Sequence, residues 1–290
     1  MPFVSTDYID SKHWSREQED EFLRAHYIIG AHPQTKEEFL IPETDRYAGT
    51  YVLGVQGMGK STLLERIIVD DVRNDNSVIV IDPHGDLIDH CLAQLGPMYT
   101  SKMSVLDMED EAYPFGINVF GKTQNLSGIN QAEAVDRLMH IFEVLWPEVM
   151  SQQYLPLYLR SATIALLANP CTTLLDMLPF LQDKKVRRAM LAKVQDQTVL
   201  DFMRAYDDMS ESDQQRRVQA LVNRLTALFM GRSLVRNIVG QREDTIDFRK
   251  VIENKEVIFI KLLLNRVPYD AQVIGTMLVA QISAAVFSFG

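Results

Sequence analysis

One stretch sets the terms for the whole chain: Gly54-Val55-Gln56-Gly57-Met58-Gly59-Lys60-Ser61, with Thr62 behind it. It satisfies the pattern G-x-x-x-x-G-K-[ST] at every fixed position. Glycines let a backbone bend until several N–H groups face one anion. A lysine there reaches β- and γ-phosphates as a point charge, and the hydroxyl after it is a ligand for Mg²⁺. The flanks suit the same device. Tyr47 to Leu53 is β-branched and aromatic enough to predict a strand. Lys60 to Val69 is apolar at helical spacing. Strand, glycine loop and helix amino end together form an anion site. The competing reading, a chance glycine turn beside an unrelated lysine, leaves both flanks unexplained. Gly54, Gly57, Met58, Gly59, Lys60, Ser61 and Thr62 are therefore the candidate nucleotide-binding residues, with ATP and Mg²⁺ the implied ligands and Lys60 the catalytic cation.

Beyond this loop, residues 47–125 read strand, helix, strand, helix, strand. Ser77-Val78-Ile79-Val80-Ile81 is a continuous apolar run, as in a strand buried on both faces. Leu87 to Leu95 is helical, and Met103 to Leu106 is a further strand. Such alternation predicts an α/β fold with a mostly parallel sheet and ligands at the carboxyl ends of its strands. Residues 126–240 change character: helical patterns follow one another with no strand between them, so an all-helical insertion is expected. Its Met and aromatic stripes read as core. Its cluster Lys184-Lys185-Val186-Arg187-Arg188 reads as a solvated helix face rather than a phosphate contact. Residues 241–290 return to the sheet pattern, with Glu256 to Ile260 a strand and an apolar helix after Pro268.

Residues 1–46 are polar and charged. An amphipathic turn through Phe22, Leu23, Tyr27 and Ile28 predicts a short helix leading to a strand or loop. His13, His26 and His32 share no ligand spacing, and packing or surface roles account for them. A net charge of −10 argues against a chain-wide surface for polyanions, though not against nucleic acid held by a few local loops. Cys91 and Cys171 lack a metal-type pairing and read as small buried hydrophobes in a reducing compartment. No basic start followed by an apolar run marks a signal peptide, so a cytoplasmic chain is expected. Ala271 to Gly290 is the most apolar stretch, but Gln272, Thr276, Gln281 and Ser283 interrupt it, so it predicts a buried helix and no membrane segment. The ending Phe287-Ser288-Phe289-Gly290, with no polar tail, gives the expectation of a truncated chain.

Hydrolysis by a phosphate loop needs an acid on a neighbouring strand to hold Mg²⁺ through water. The expected string, four apolar residues and Asp-Glu, does not occur. Val78-Ile79-Val80-Ile81-Asp82 makes Asp82 the best candidate for catalysis and for the metal. A capping role in the turn before Pro83 and Gly85 competes with it. Glu109 and Glu111 read as exposed loop acids. The nucleotide site is complete in the sequence and the hydrolytic apparatus is not.

Taken together, Gly54 to Thr62, Val78 to Leu87 with its Asp82-Pro83-His84-Gly85, Leu106 to Asn118, Arg232 to Gln241 and Ile246 to Arg249 resemble the HerA/FtsK superfamily of DNA-pumping ATPases. Within it, they look like the conjugative coupling proteins of type IV secretion. The resemblance covers residues 47–290 and rests on the order of the blocks. It implies a P-loop NTPase, RecA-like core with a helical insertion, a homohexameric ring, and DNA moved through it at the expense of ATP. Type IV secretion or relaxosome proteins are implied partners, which would place the chain at the inner face of a membrane. On it, Lys60 and Ser61 hold phosphates and Mg²⁺, and Asp82 takes the acidic position near the nucleotide. His84 and Asp86 read first as turn-formers, and Asp107 and Asn118 as packing residues. Such rings complete their sites with an arginine from a neighbour, and Arg224, Arg232 and Arg236 lie in the plausible region, though pairing with surface acids accounts for each. The sequence departs from the family in lacking the Asp-Glu strand end and the later glutamine sensor, so it matches the front part of such an ATPase. A nucleotide-binding scaffold without turnover is the alternative. A small-molecule kinase, which wants a compact fold and an arginine-bearing lid, fits the long helical segment poorly.

Overall fold

The computed structural model describes residues 26–32, 34–46, 49–121, 129–231 and 233–289, with residues 4, 5, 15, 17, 18 and 22 ahead of them. The chain divides into two compact units, Met1–Val105 with Lys250–Lys261, and Leu106–Arg249 with Leu262–Gly290.

The first unit carries two sheets. β1 (Val4–Ser5), β2 (His26–Ala31) and β3 (Glu38–Pro42) form an antiparallel sheet ordered β1-β3-β2, with a register shift between Ile28 and Gly30. A short helix, α1 (Glu43–Arg46), follows it. The second sheet holds β4 (Val78–Asp82), β5 (Met103–Asp107) and β6 (Val257–Lys261) in the order β4-β6-β5. β4 and β6 run parallel, from Val78 opposite Val257 to Asp82 opposite Lys261. Two helices pack on this sheet, α2 (Lys60–Arg73) and α3 (Asp86–Leu95). α3 turns Ile88, Cys91 and Leu95 to one face, the i, i+3, i+7 spacing of a helical stripe. They meet Val69 and Val72 of α2 and Val78, Val80, Val257 and Phe259 of the strands in one core. Each such side chain contributes about 1.5–3 kcal/mol on burial.

A polar latch ties the antiparallel sheet to α2. Asp71 accepts from Tyr27 Oη at 2.5 Å, from Arg46 Nη1 at 2.9 Å and Nη2 at 2.6 Å, and from Asn76 Nδ2 at 3.2 Å. The Arg46 guanidinium also lies 3.9 Å from the centroid of the Tyr27 ring. The bidentate pair and the stacking make Arg46 irreplaceable by lysine here.

The strand expected over Tyr47 to Leu53 is not formed over its described residues, 49–53. Tyr47 and Ala48 lie outside the described residues, and residues 49–59 are irregular. Tyr51, Leu53 and Val55 are 85%, 76% and 73% exposed. β-propensity alone does not hold a strand; it needs a hydrogen-bonded neighbour and a buried face, and neither is present along this segment. In the N-terminal stretch Phe22 is helical, while Tyr27 and Ile28, expected in the same turn, lie in β2, which forms a hairpin with β3. Most of the short helix expected near Phe22, including Leu23, lies outside the described residues, as does His13.

The second unit is helical: α4 (Ile129–Leu145), α5 (Pro147–Met150), α6 (Leu155–Leu167), α7 (Met177–Gln182), α8 (Lys184–Leu191), α9 (Gln197–Asp207), α10 (Glu211–Phe229) and α11 (Ser233–Val239). α12 (Phe248–Glu253) leads to β6, and α13 (Pro268–Phe287) is the last helix. Phe142 stacks on Trp146 with ring centroids 5.4 Å apart, and Tyr158 meets Tyr206 at 4.9 Å. These aromatics are core, as their helical spacing predicts.

The cluster at 184–188 corrects its expectation. Arg187 is wholly buried rather than solvated. Its Nη2 lies 2.7 Å from Asp207 Oδ1 and its Nη1 donates to the carbonyls of Phe180 and Leu181 at 3.0 and 3.1 Å. Arg188 Nε holds the other Asp207 oxygen at 3.0 Å, and Lys184 Nζ donates to the Asp207 carbonyl at 2.7 Å. A run of basic residues says nothing of an acid twenty positions on, and that acid decides which arginine turns inward.

α13 is buried along its first half, through Ala271, Val273, Ile274, Met277 and Leu278. Its second half leaves Val279, Val286 and Phe287 exposed, so the buried-helix expectation holds only in part. Among the described residues it is the one helix long and apolar enough to cross a membrane by length and composition.

Two measurements test this architecture. Arg187→Ala strands the Asp207 carboxylate in the core and lowers stability by about 3–5 kcal/mol in urea unfolding, while Arg187→Met with Asp207→Leu recovers most of the loss. Burial, with the charges of Glu65 and Asp82 behind it, pushes the Cys91 thiol up to about 12. A thiol reagent at pH 8 therefore labels exposed Cys171 in the folded chain and Cys91 only after denaturation.

Candidate nucleotide-binding site

The loop 54–59 is shaped by its glycines. Gly57 and Gly59 sit at φ 82° and 81°, where an L side chain is strained. At Gly54 a Cβ would lie 3.3 Å from Lys60 Cγ, a tight contact with a flexible side chain. Lys60 folds back over the loop and its Nζ donates to the Val55 carbonyl at 3.0 Å, while Met58 N reaches the same carbonyl at 3.3 Å. The ammonium is thus held above the loop before any phosphate arrives.

Gly59 is the N-cap of α2, and no side chain caps it. The first main-chain bond of the helix runs from Leu63 N to Gly59 O at 2.9 Å. That leaves the N–H groups of Lys60, Ser61 and Thr62 as donors at the positive end of a 14-residue helix with no acid in its first turn. Ser61 and Thr62 are exposed and Lys60 is half-buried. Open donors, a poised ammonium and a hydroxyl one residue on fit a Mg²⁺-bound polyphosphate.

Asp82 closes β4 and is 5% exposed. One carboxylate oxygen accepts from His84 N at 3.0 Å, the other from Leu87 N at 2.9 Å and Ile88 N at 3.3 Å. These bonds cap both the turn and the first turn of α3, whose own N-cap, Gly85, has no side chain to do so. The turn-capping reading accounts for every bond that Asp82 makes. His84 and Asp86 are exposed on the same turn. Lys261, opposite Asp82 in the ladder, pairs with Asp89 of α3.

The remaining expected residues have structural partners. Asp107 accepts from Glu109 N at 2.9 Å, Asp110 from Ala112 N and Tyr113 N at 3.1 and 2.9 Å, and Glu109 pairs with Arg266. Asn118 is buried and donates to the carbonyls of Thr172 and Arg242 at 3.0 and 2.8 Å, while its own N–H meets Asp244 Oδ1 at 2.8 Å. Beside it, a Cβ on Gly116 would stand 2.6 Å from the Glu243 carbonyl. The blocks 113–118 and 237–245 are therefore one clasp. Arg224 pairs with Glu148 at 2.7 Å, Arg236 is exposed, and Arg232 lies outside the described residues. The Lys60–Val55 contact and the Asp71 latch had no signal in the sequence pattern, because each joins a side chain to a partner no motif specifies.

The family model of the central domain of the helicase HerA matches residues 50–267. The chain belongs to the HerA family. Its fold is also that of a solved bacterial conjugative coupling protein, TrwBdeltaN70 in an unbound monoclinic form, at a TM-score of 0.59 and 12% identity. The match covers 99% of this chain and 61% of that one, so the chain spans about three fifths of that protein's solved length. No curated protein matches the sequence. A HerA central domain and a coupling-protein fold agree with the α/β P-loop architecture and the family expected from the blocks.

The clearest test of the Asp82 turn is its removal. Asp82→Ala leaves main-chain donors of the turn and of α3 without acceptors and lowers stability by about 1–3 kcal/mol in urea unfolding, with Asp82→Asn costing less.

Proposed function

We propose that this HerA-family chain binds Mg-ATP on residues 54–62 and serves as an ATP-driven DNA translocase of the conjugation type. The observation that supports the reading most is the uncapped amino end of α2 beneath a glycine loop, with the Lys60 ammonium already over it. Bound Mg-ATP supplies the anhydride whose cleavage drives movement. The chain's own contributions follow from its residues. The N–H groups of Lys60 to Thr62 orient the phosphates, and Lys60 exchanges a neutral carbonyl for a charged oxygen. Ser61 offers its hydroxyl to the metal, and Asp82 holds the carboxyl edge of β4 in shape. Assembly as a homohexamer around DNA, partners of the type IV secretion class, and a cytoplasmic position at a membrane's inner face belong to the same reading.

A second reading, a nucleotide-binding scaffold, draws on one specific observation: three main-chain N–H groups take up most of the acceptor capacity of Asp82, the candidate hydrolytic acid. Calorimetry and phosphate release separate the two. Tight Mg-ATP binding with release above background, increased by DNA, supports the translocase; binding without release supports the scaffold.

Lys60→Ala is expected to raise the Kd for Mg-ATP at least about tenfold, the loss of a charge-assisted contact of roughly 1.5–3 kcal/mol, and to abolish DNA-stimulated release. Unchanged ATP binding in that variant excludes the site. Ser61→Ala is expected to weaken binding in the presence of Mg²⁺ and to leave metal-free binding nearly intact, read by calorimetry with and without chelator.

A further inference from the structure

A second cationic site lies at the other end of α2 and rests on chemistry unrelated to the glycine loop. The turns that lead into the three strands of the β4-β6-β5 sheet each bring charge to one cavity of about 230 Å³. Arg73 and Asp75 precede β4, Lys255 precedes β6, and Lys102 directly precedes β5. Lys102 Nζ lies 2.6 Å from Asp75 Oδ1 and Lys255 Nζ 3.8 Å from Asp75 Oδ2. A single carboxylate therefore serves as the anchor for two ammonium groups. Arg73 lines the same cavity and has no carboxylate within ion-pair distance among the described residues. Three cations against one carboxylate leave two positive charges uncompensated, in a chain whose net charge is −10.

The carbonyl end of α2 does not oppose an anion here. Asn74 N, Asp75 N and Asn76 N already bond the carbonyls of Asp70, Val72 and Asp71, at 2.9, 3.2 and 3.0 Å. Asp75 and Lys255 also share a left-handed backbone, φ 61° and 54°, which aims both side chains from tight turns. The cavity wall includes Tyr99, half-buried, and Met98, 78% exposed. Cations beside an aromatic and an exposed thioether suit a phosphodiester with a base attached better than a bare phosphate.

We propose that this cavity grips the phosphate backbone of single-stranded nucleic acid through Arg73, Lys102 and Lys255. The proposal rests on the DNA-handling reading above and names a contact surface for it. Fluorescein-labelled oligothymidine, titrated with the full chain and read by anisotropy over a range of salt, tests it. Lys102→Gln with Lys255→Gln is expected to raise the Kd about tenfold and to lower the slope of log affinity against log salt by about 1.4, two phosphate contacts on a single strand. Arg73→Gln lowers that slope by about half as much, and Lys185→Gln, an exposed lysine of α8, leaves both quantities unchanged. Mg-ATP binding by calorimetry stays at the wild-type value in all of these variants, which shows that they fold. Equal oligothymidine affinity in wild type and double variant overturns the site and leaves the functional reading standing. Absence of oligothymidine binding by the wild type overturns both. Displacement by inorganic phosphate beyond that by chloride at matched ionic strength, with oligothymidine affinity unmoved by the substitutions, identifies a free-phosphate site and overturns the nucleic-acid assignment.

Discussion

The parallel pairing of β4 with β6 is the constraint from which the rest of this chain follows. Val78 stands opposite Val257, so adjacent strands are joined through most of the sequence. Closing a flexible connection of that length costs roughly 4–5 kcal/mol in chain entropy. A parallel pair cannot be joined by a tight turn in any case. The intervening chain must therefore bury a core of its own, and it does so around Trp146, Phe142, Tyr158 and Tyr206. The clasp between 113–118 and 237–245 draws the two ends of the helical segment together at its base. Gly116 and Asn118 are the residues it can least vary, one for space and one for three side-chain hydrogen bonds, two donated by its Nδ2 and one accepted by its Oδ1. The family-like blocks at 113–118 and 237–245 mark the seam at which the helical segment meets the rest of its unit.

What was legible in the sequence was whatever a segment decides by itself. Val78 to Ile81 and Val257 to Ile260 are continuous apolar runs, and only a buried strand gives such a run a use. Gly57 and Gly59 announce a left-handed loop because no other residue tolerates it cheaply. What was illegible depends on a distant partner. Tyr47 to Leu53 has strand propensity, and its described residues, 49–53, join no ladder. Arg187 and Lys185 are indistinguishable within their cluster until Asp207, far along the chain, selects one for the interior. Asp82 was balanced between metal and turn, and three main-chain donors to its oxygens show what the turn asks of it. In the N-terminal part, the hairpin is held by Asp71 of a different element, so local pattern alone could not call for it.

Two ion-pair systems of the chain illustrate how burial sets the value of a charge. Arg187 with Asp207 is dry and saturated, with carbonyls completing the guanidinium's donors; breaking it is costly, although an apolar replacement of both partners need not be. Lys102 and Lys255 with Asp75 are wet, and a pair of that kind contributes little to stability. A charge cluster that does so little for the fold is free to serve a ligand, and the sign of that cluster opposes the sign of the whole chain.

The same comparison explains the state of Lys60. Its ammonium is neither paired with a carboxylate nor free in solvent but rests on the Val55 carbonyl across the loop. A carboxylate partner would have to be displaced by an incoming phosphate at the cost of an ion pair, whereas a neutral carbonyl yields to a charged oxygen with a gain in hydrogen-bond strength. The bare Cα of Gly54 lies beside the lysine stem, where a Cβ would stand 3.3 Å from Lys60 Cγ. Fixing a long side chain in place before binding removes part of its rotamer entropy from the cost of association. The glycine at 54 thus lies beside the lysine stem, while those at 57 and 59 set the direction of the main chain leading into α2.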